Sequence, residues 1–384
     1  MKVLHLGKYY YPFVGGIETV QKNLCEGLFK HHIVSDILVS NTCNKYSHDY
    51  VNNVEVFRVP RLFTLFSQAI NLTLFSTLKS KINDYDIIHV HSPNPLAELI
   101  CLFLPKHIPI VVTYHSDVVR QKFLLKFYKI LLDKFLQRTN RIIVATENHI
   151  KYSFILPKYK NKCEIIPFGI AHKFNRNEIV KDYQNELKNK YGDYCIFVGR
   201  LVSYKGIDIL IRAAKLANLK NKKILIIGEG PLENELQQLI DYNNLSENVV
   251  LLGKIKDNNL FSALFKSSKF LVLPSITNNE NFGMVQLEAM AESKAVLTTN
   301  LKSGVPCVGI DGQTSFLVEP GNIEQLAEKI KLLFEDSERC IKMGIQGKIR
   351  FDKYFTQEKM VDDHITLYNN LLKNSNIIKF KKSA

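Results

Sequence analysis

The sequence predicts an α/β protein of two doubly wound parallel-sheet domains with a cleft between them. Three observations carry this. Short β-rich runs alternate with helical patterns along the whole chain, the strand-like runs are almost continuously apolar, and a polar stretch near the middle interrupts the alternation. Apolar strands separated by helices belong to parallel sheets covered on both faces. At 384 residues the chain is too long for one ordinary core and suits two.

In the first run, VLHLG (3–7), VSDILVS (34–40), VEVFRV (54–59), DIIHVH (86–91), IPIVVTYH (108–115), RIIVAT (141–146) and CEIIPFG (163–169) read as strands. Helical patterns such as ETVQKNLCEGLFK and LKFYKILLDKFLQR lie between them. The polar AHKFNRNEIVKDYQNELKNKYG (171–192) reads as a linker followed by a helix. The second run supplies CIFVGR (195–200), KKILIIGEG (222–230), VVLLG (249–253), KFLVLP (269–274), AVLTT (295–299) and SFLV (315–318). The predicted division is a first domain over 1–175, a linker over 176–189, a second domain over 190–364, and a last helix, 365–384, that can pack back on the first. The basic ending NSNIIKFKKSA is expected to fray.

Composition narrows the function classes. Hydrophobic content of 46% with 23% charged residues is that of an ordinary globular chain. No apolar run reaches the length of a membrane span, and MKVLHLGKYYYP reads as a first strand entering a loop, not as a signal peptide. Seven cysteines stand singly, with no C-x-x-C, which predicts a reducing cytoplasm and neither a disulfide framework nor a zinc cluster. The formal charge is +14, and most of it lies early: residues 1–180 hold 23 Lys+Arg against 13 Asp+Glu, the remainder 28 against 24. A basic surface suits nucleic acid, an anionic membrane or a phosphorylated ligand. No motif that reads RNA or DNA accompanies it, so nucleic acid is not expected as a partner.

Four glycine-bearing turns follow strands: KYYYPFVGGIE, GRLVSYKG, GEGPLE and ENFG. Ligands of open parallel sheets bind beyond the carboxyl ends of strands, so all four are in ligand-binding positions. Gly15 and Gly16 let a backbone approach a ligand closely, although tight-turn geometry alone also explains them. In GRLVSYKG, Arg200 and Lys205 leave a strand end together, and two cations of different geometry suit a pyrophosphate. The spacing is neither a Walker loop nor G-x-G-x-x-G, which disfavours a dinucleotide dehydrogenase.

ENFGMVQLEAM adds two carboxylates around a helix start. Met284, Leu287, Glu288 and Ala291 share one helical face, so Glu288 is expected on the side meant for the core, with Glu280 just ahead of the helix. Amides near Asn281, Phe282, Gly283, Met284 and Val285 can hold an anion. Glu288 can accept from ribose hydroxyls, and Glu280 from a second sugar. Together these features suggest a nucleotide diphosphate with a sugar at each end.

A rival constellation is His89, His91, His115 and Asp117, at strand ends and in an H-x-H spacing that can ligate a metal of a hydrolase. No further acid or histidine closes that site, and strand-end histidines are commonly hydrogen-bonded residues, so the expected metal is none. Asp84-Tyr85-Asp86 has a D-x-D spacing but precedes a strand, and reads as its polar beginning. Residues 120–141 hold seven Lys/Arg and one Asp with Phe123, Phe127, Ile130, Leu131 and Phe135 interleaved. This is either an amphipathic helix for an anionic membrane surface or a sheet-packed helix with a solvated basic face. RLFTLFSQAINLTLFSTLKSK (61–81) is a weaker helix of the same kind.

GGIE (15–18), TYHSD (113–117), PFGI (167–170), GRLVSYKG (199–206), GEGP (228–231) and E-NFGMVQL-E (280–288), in this order over nearly the whole chain, resemble the family 4 retaining glycosyltransferases. The resemblance implies the GT-B fold, two Rossmann-like domains facing across a cleft. TYHSDVVRQK with ENFGMVQLEAM is most similar to bacterial mannosyltransferases that use GDP-mannose to build O-antigen and related surface polysaccharides. Carried over by resemblance, Arg200 and Lys205 match the pyrophosphate pair, Glu288 the ribose-binding acid, and Glu280 the acid at the donor sugar. Gly15 and Gly16 match the loop that closes on the donor phosphates, and His115 the histidine beside the reacting carbon. The resemblance further implies transfer with retained configuration and no cofactor. The implied donor is a nucleotide sugar, GDP-mannose ahead of a UDP-sugar, and the implied acceptor a lipid-linked oligosaccharide at the inner membrane face. Two positions depart from the family pattern: Ser315 where a second glycine is frequent after DGQT, and Asn281 where a small residue is frequent.

Overall fold

The computed structural model describes residues 1–13, 15–65, 68–118, 122–171 and 174–382. The chain divides into two compact units, Met1–Ala171 with Gln357–Ala384, and His172–Thr356.

The strands of the first unit are β1 (Lys2–Leu6), β2 (Val34–Ser40), β3 (Ser47–Val51), β4 (Val54–Val59), the small pair β5 (Phe63–Leu65) and β6 (Gln68–Ile70), β7 (Ile87–Ser92), β8 (Ile110–Tyr114), β9 (Arg141–Val144) and β10 (Cys163–Ile165). Its helices are α1 (Gly16–Lys30), α2 (Leu74–Lys81), α3 (Pro95–Cys101), α4 (Lys122–Arg138) and α5 (Glu147–Tyr152). The main sheet runs β10-β9-β8-β7-β1-β2-β4-β3, parallel except where β3 pairs antiparallel with β4. Its middle strands are sealed on both faces: Val3, Leu4, Ile37, Leu38, Ile87, Ile88, Val111 and Val112 are wholly buried. Each such aliphatic side chain contributes roughly 1.5–3 kcal/mol of burial. Helix α1 turns Val20, Leu24, Cys25 and Leu28 inward, the spacing of an amphipathic helix. Helix α3 begins where the Asn94 side chain accepts from the Ala97 N–H at 3.4 Å, with Pro95 in its first turn.

The second unit comprises β11 (Tyr194–Val198), β12 (Lys223–Ile227), β13 (Val249–Gly253), β14 (Phe270–Leu273), β15 (Ala295–Thr299) and β16 (Ser315–Val318). Around them lie α6 (Glu178–Tyr191), α7 (Ile207–Ala217), α8 (Glu233–Tyr242), α9 (Asn258–Ser267), α10 (Val285–Ala291), α11 (Val305–Val308), α12 (Ile323–Glu335) and α13 (Ser337–Tyr354). The sheet is parallel throughout, in the order β13-β12-β11-β14-β15-β16. Side-chain caps from Asn177, Asp257, Asn322 and Asp336 start four of the helices. The last helix, α14 (Gln357–Lys382), returns to the first unit, where Gln357 Nε2 donates to the Asn23 carbonyl at 2.6 Å. Its backbone is helical through Lys382, where the sequence predicted fraying.

Both sheets reverse strand order once, between β1 and β7 and between β11 and β14. Adjacent strands there send their following loops to opposite faces, which opens a crevice at the carboxyl edge.

Two expectations are corrected. Residues 61–81 are not one amphipathic helix: β5 and β6 form a hairpin, and only Leu74–Lys81 is helical. The interleaved Phe63, Thr64 and Leu65 follow the two-residue period of a strand better than a helical one. Strand β3, unread in the sequence, is a polar edge strand joined to β4 through Asn52 and Asn53, both at positive φ (49° and 68°), as a two-residue hairpin requires.

Candidate active site

In the second unit the turn after β11 carries Arg200 and Lys205, and the loop after β14 carries Glu280, so the two charged loops flank the β11/β14 reversal. They are built against each other. Gly206 ends the β11 turn at φ 66°, and a Cβ there would lie 2.2 Å from the Pro274 carbonyl. Lys205 Nζ forms an ion pair with Glu280 Oε2, each side chain only 11% exposed, and Ser275 Oγ donates to the same oxygen at 3.0 Å. Arg200 is exposed. The GEGP turn after β12 braces this loop: the Leu201 N–H donates to the Glu229 carbonyl at 3.0 Å.

Of the two carboxylates it is Glu280, not the Glu288 expected to face the core, that is the more buried. Glu280 is buried (8% exposed) and Glu288 only half-buried. Helix α10 starts at Val285 and buries Gln286, Leu287, Ala289, Met290 and Ala291, a broad arc that leaves Val285 and Glu288 on the outer side. Phe282 is buried, with its ring against Phe355 at 6.3 Å, so only its backbone can serve a ligand. Asn281, Met284 and Val285 are half-buried, and Gly283 is held at φ 71°.

In the first unit, Gly15 caps α1 in an extended conformation and Gly16 is its first residue. His115 follows β8 and is 3% exposed, its ring stacked on Phe168 at 5.1 Å, which gives PFGI a packing role. His91 Nδ1 lies 3.1 Å from His115 Nε2, and His91 Nε2 lies 3.1 Å from His5 Nδ1. His89 bridges Tyr368 OH at 2.5 Å and Thr113 Oγ1 at 2.7 Å. Burial pushes the His5 and His115 imidazoles down to about 3 and His364 to about 4, and holds His89 and His91 well below the usual histidine range. Desolvation disfavours the imidazolium, so these rings are neutral near pH 7.

The metal constellation is therefore only partly assembled. His89, His91 and His115 converge, but Asp117 is turned to Tyr114 OH (2.6 Å) and Ser153 Oγ (2.8 Å). His5, His89 and His91 do cluster with ligand atoms within 4.8 Å, yet both nitrogens of His89 and of His91 already have partners. A cation there would displace those hydrogen bonds. Sequence reasoning missed His5, His364 and Tyr368. His5 stands opposite His89 in the β1–β7 register, and the one visible signal was a polar residue inside the apolar VLHLG. It also missed Glu98, wholly buried on α3, which accepts from Ser92 Oγ (2.7 Å) and the Asn94 N–H (2.9 Å) and so fixes the turn after β7.

A concavity of about 430 Å³ opens beyond β1 and β2, lined by Tyr9, Phe13, Asn41, Thr42, Asp49 and Arg58 among others. Helix α4 packs Leu132, Phe135 and Leu136 inward and leaves Phe127 and Ile130 66% and 58% exposed beside Lys126, Lys129 and Lys134. Arg120 of the basic segment lies outside the described residues, and Phe123 has no described side-chain placement. At the amino edge of the sheet Asp86 Oδ2 accepts from the Lys2 N–H at 2.8 Å, and Tyr85 donates to Asp36 at 2.8 Å, the polar strand beginning expected there.

Residues 14–174 match the family model Glycosyltransferase Family 4, and residues 179–350 match Glycosyl transferases group 1. The O-antigen chain mannosyltransferase C of Escherichia coli is 31% identical over 376 residues, covering 97% of this chain and 99% of its own. The chain belongs to the family 4 glycosyltransferases. The glycosyltransferase is also 30% identical to the D-rhamnosyltransferase WbpZ of Pseudomonas aeruginosa over 360 residues, 93% of this chain and 92% of that one. Its fold is shared with Anabaena HepE, solved in complex with UDP, at a TM-score of 0.78 over 96% of this chain and 100% of that one, with 17% identity. The two doubly wound units are those of a GT-B fold, and the enzyme moves a sugar from a nucleotide diphosphate sugar to an acceptor. Among the described residues no helix is long and apolar enough to cross a membrane.

Proposed function

We propose that the enzyme transfers mannose from GDP-mannose, with retention, to a hydroxyl of a growing surface glycan carried on a polyprenyl diphosphate. The observation that carries the reading is the Lys205–Glu280 pair spanning the strand-order reversal of the second unit. There a cation meets a diphosphate and a buried carboxylate meets sugar hydroxyls. Arg200 and Lys205 take the diphosphate oxygens, Glu288 the ribose, and Glu280 with the Asn281–Val285 backbone the hexose. On the first unit, the Gly15–Gly16 turn suits a phosphate and His115 a sugar hydroxyl.

In the reaction the bond from the anomeric carbon to the diphosphate oxygen breaks and the acceptor oxygen bonds to that carbon from the same face. The acceptor's proton passes to the departing diphosphate. Lys205 and Arg200 stabilise the charge that develops on the leaving group, an electrostatic contribution that can dominate catalysis without a metal ion. The first unit is the acceptor side: the aromatic and polar lining of the Tyr9–Arg58 concavity suits a sugar ring. Phe127 and Ile130 among lysines suit an anionic membrane surface, which supports the reading of a cytoplasmic enzyme working at the inner face of the membrane. The relatives support a manno-configured donor by name, one a mannosyltransferase and one a D-rhamnosyltransferase.

The test supplies labelled GDP-mannose together with membranes carrying lipid-linked glycans. Label should enter the lipid-extractable fraction with wild type and fail to do so with Lys205→Ala. Incorporation from a UDP-sugar alone would overturn the donor, and full activity of Lys205→Ala would overturn the site.

A further inference from the structure

We propose that His5 and His91 are positioning residues, a buried relay that fixes the His115 ring as the tautomer with its proton on Nδ1, so that His115 offers an N–H to a hydroxyl or ring oxygen of the donor sugar. The part concerning the sugar rests on the function proposed above. The tautomer itself rests on the hydrogen-bond geometry alone.

The three rings form a chain: His5 Nδ1 to His91 Nε2 at 3.1 Å, and His91 Nδ1 to His115 Nε2 at 3.1 Å. A neutral imidazole carries one N–H and one acceptor nitrogen. His91 must therefore donate on one side and accept on the other, which leaves two arrangements. In one, His115 donates from Nε2, His91 donates from Nε2, and the last proton sits on His5 Nε2. In the other, every proton is on Nδ1: His5 donates to His91, His91 donates to His115, and the outermost N–H is that of His115.

The ends of the chain decide between them. His5 Nε2 is sealed from solvent and has no partner among the described residues. A proton there would be a buried donor with nothing to receive it, the rarest kind of unsatisfied group, whereas a bare acceptor nitrogen is tolerated more readily. At the other end, His115 Nδ1 has no described partner and is not among the sealed atoms. The proton is best placed where a ligand can reach it. Three structural features keep the relay in register. His5 is paired with His89 across β1 and β7, the rings of His5 and His91 and of His91 and His115 meet edge to edge at 5.4 Å between centroids with their planes 28° and 25° apart, and Phe168 covers a face of His115. Burial keeps all three rings neutral, so the chain stays a relay of single protons near pH 7.

Nitrogen-15 NMR of the histidine-labelled enzyme without ligand reads the tautomers directly, the three rings being assigned through their mutual contacts. The expected result is the Nδ1–H form at His5, His91 and His115. An Nε2–H form at His115, an averaged pair of tautomers, or the signature of an imidazolium or metal-bound ring would overturn the relay. A second measurement uses His5→Leu and His5→Asn, the latter keeping an N–H donor near the Nδ1 position. His5→Leu should leave His115 averaging between tautomers and raise the KM for GDP-mannose about fivefold, the loss of one defined hydrogen bond. His5→Asn should restore both. Equal KM in the two variants, at equal melting temperature, would contradict positioning. If the tautomers are as expected but His115→Ala leaves KM unchanged, the relay stands and the sugar contact of the proposed function falls.

Discussion

At the residue scale the Lys205–Glu280 pair, the proposed binding element, is also a structural liability. Each side chain is only 11% exposed, so removing one partner leaves a buried charge without its counterpart. Breaking such a pair costs about 3–5 kcal/mol, although replacing both partners can cost far less. Lys205→Met and Glu280→Gln should each lower urea stability by a few kcal/mol, and the double variant by about 1–3 kcal/mol less than the sum. All three should be inactive. Additive losses would show that the two groups do not sense each other. The pair was legible as two separate motifs, GRLVSYKG and ENFG, but not as a contact, because 75 residues separate the partners. Glu288 was misplaced for a local reason. The seven-residue α10 buries a broad arc of its circumference, and a stripe drawn from Met284 takes the wrong phase.

At the scale of elements, the strands β1, β7 and β8 and the helix α14 enclose His5, His89, His91, His115 and His364. Their folded-state pKa values lie below the ordinary value of about 6.5 that the unfolded chain regains. Below that value the unfolded state binds more protons than the folded one, so stability falls as pH drops through and below it. Each ring contributes a slope of up to about 1.4 kcal/mol per pH unit in that window. Urea midpoints for the first unit should be flat near pH 8 and fall steeply between pH 6.5 and 5, and His364→Leu should remove about one proton from the slope. A midpoint unchanged from pH 8 to pH 5 would contradict neutral burial. The second unit has no such slope to show, since His172 is the only histidine in its range and ten of the eleven lie in the first. Most strands were legible here because buried parallel strands are continuous apolar runs. Strand β3 was not, because SHDYV is a polar edge with no apolar face, and its signal was the Asn52-Asn53 turn.

At the scale of the whole molecule, the β1/β7 and β11/β14 reversals each mark a change of direction in the strand order of a largely parallel sheet, and the loops of Arg200, Lys205 and Glu280 flank the second of them. The alternation of strands and helices made this architecture readable, and the ordered motifs placed the family. The histidine relay was not readable, since it needs the registers of β1 with β7 and of β7 with β8. The central claim is that the β11/β14 reversal binds a nucleotide diphosphate sugar. The most direct test is thermal unfolding of wild type and Lys205→Met with GDP-mannose, UDP-glucose or ADP-glucose, each with and without EDTA. A ligand that binds only the native state raises the melting temperature by mass action. The expected result is a GDP-mannose shift that survives EDTA and is mostly lost in Lys205→Met. A shift of equal size in the variant, or one that EDTA abolishes, would contradict the account.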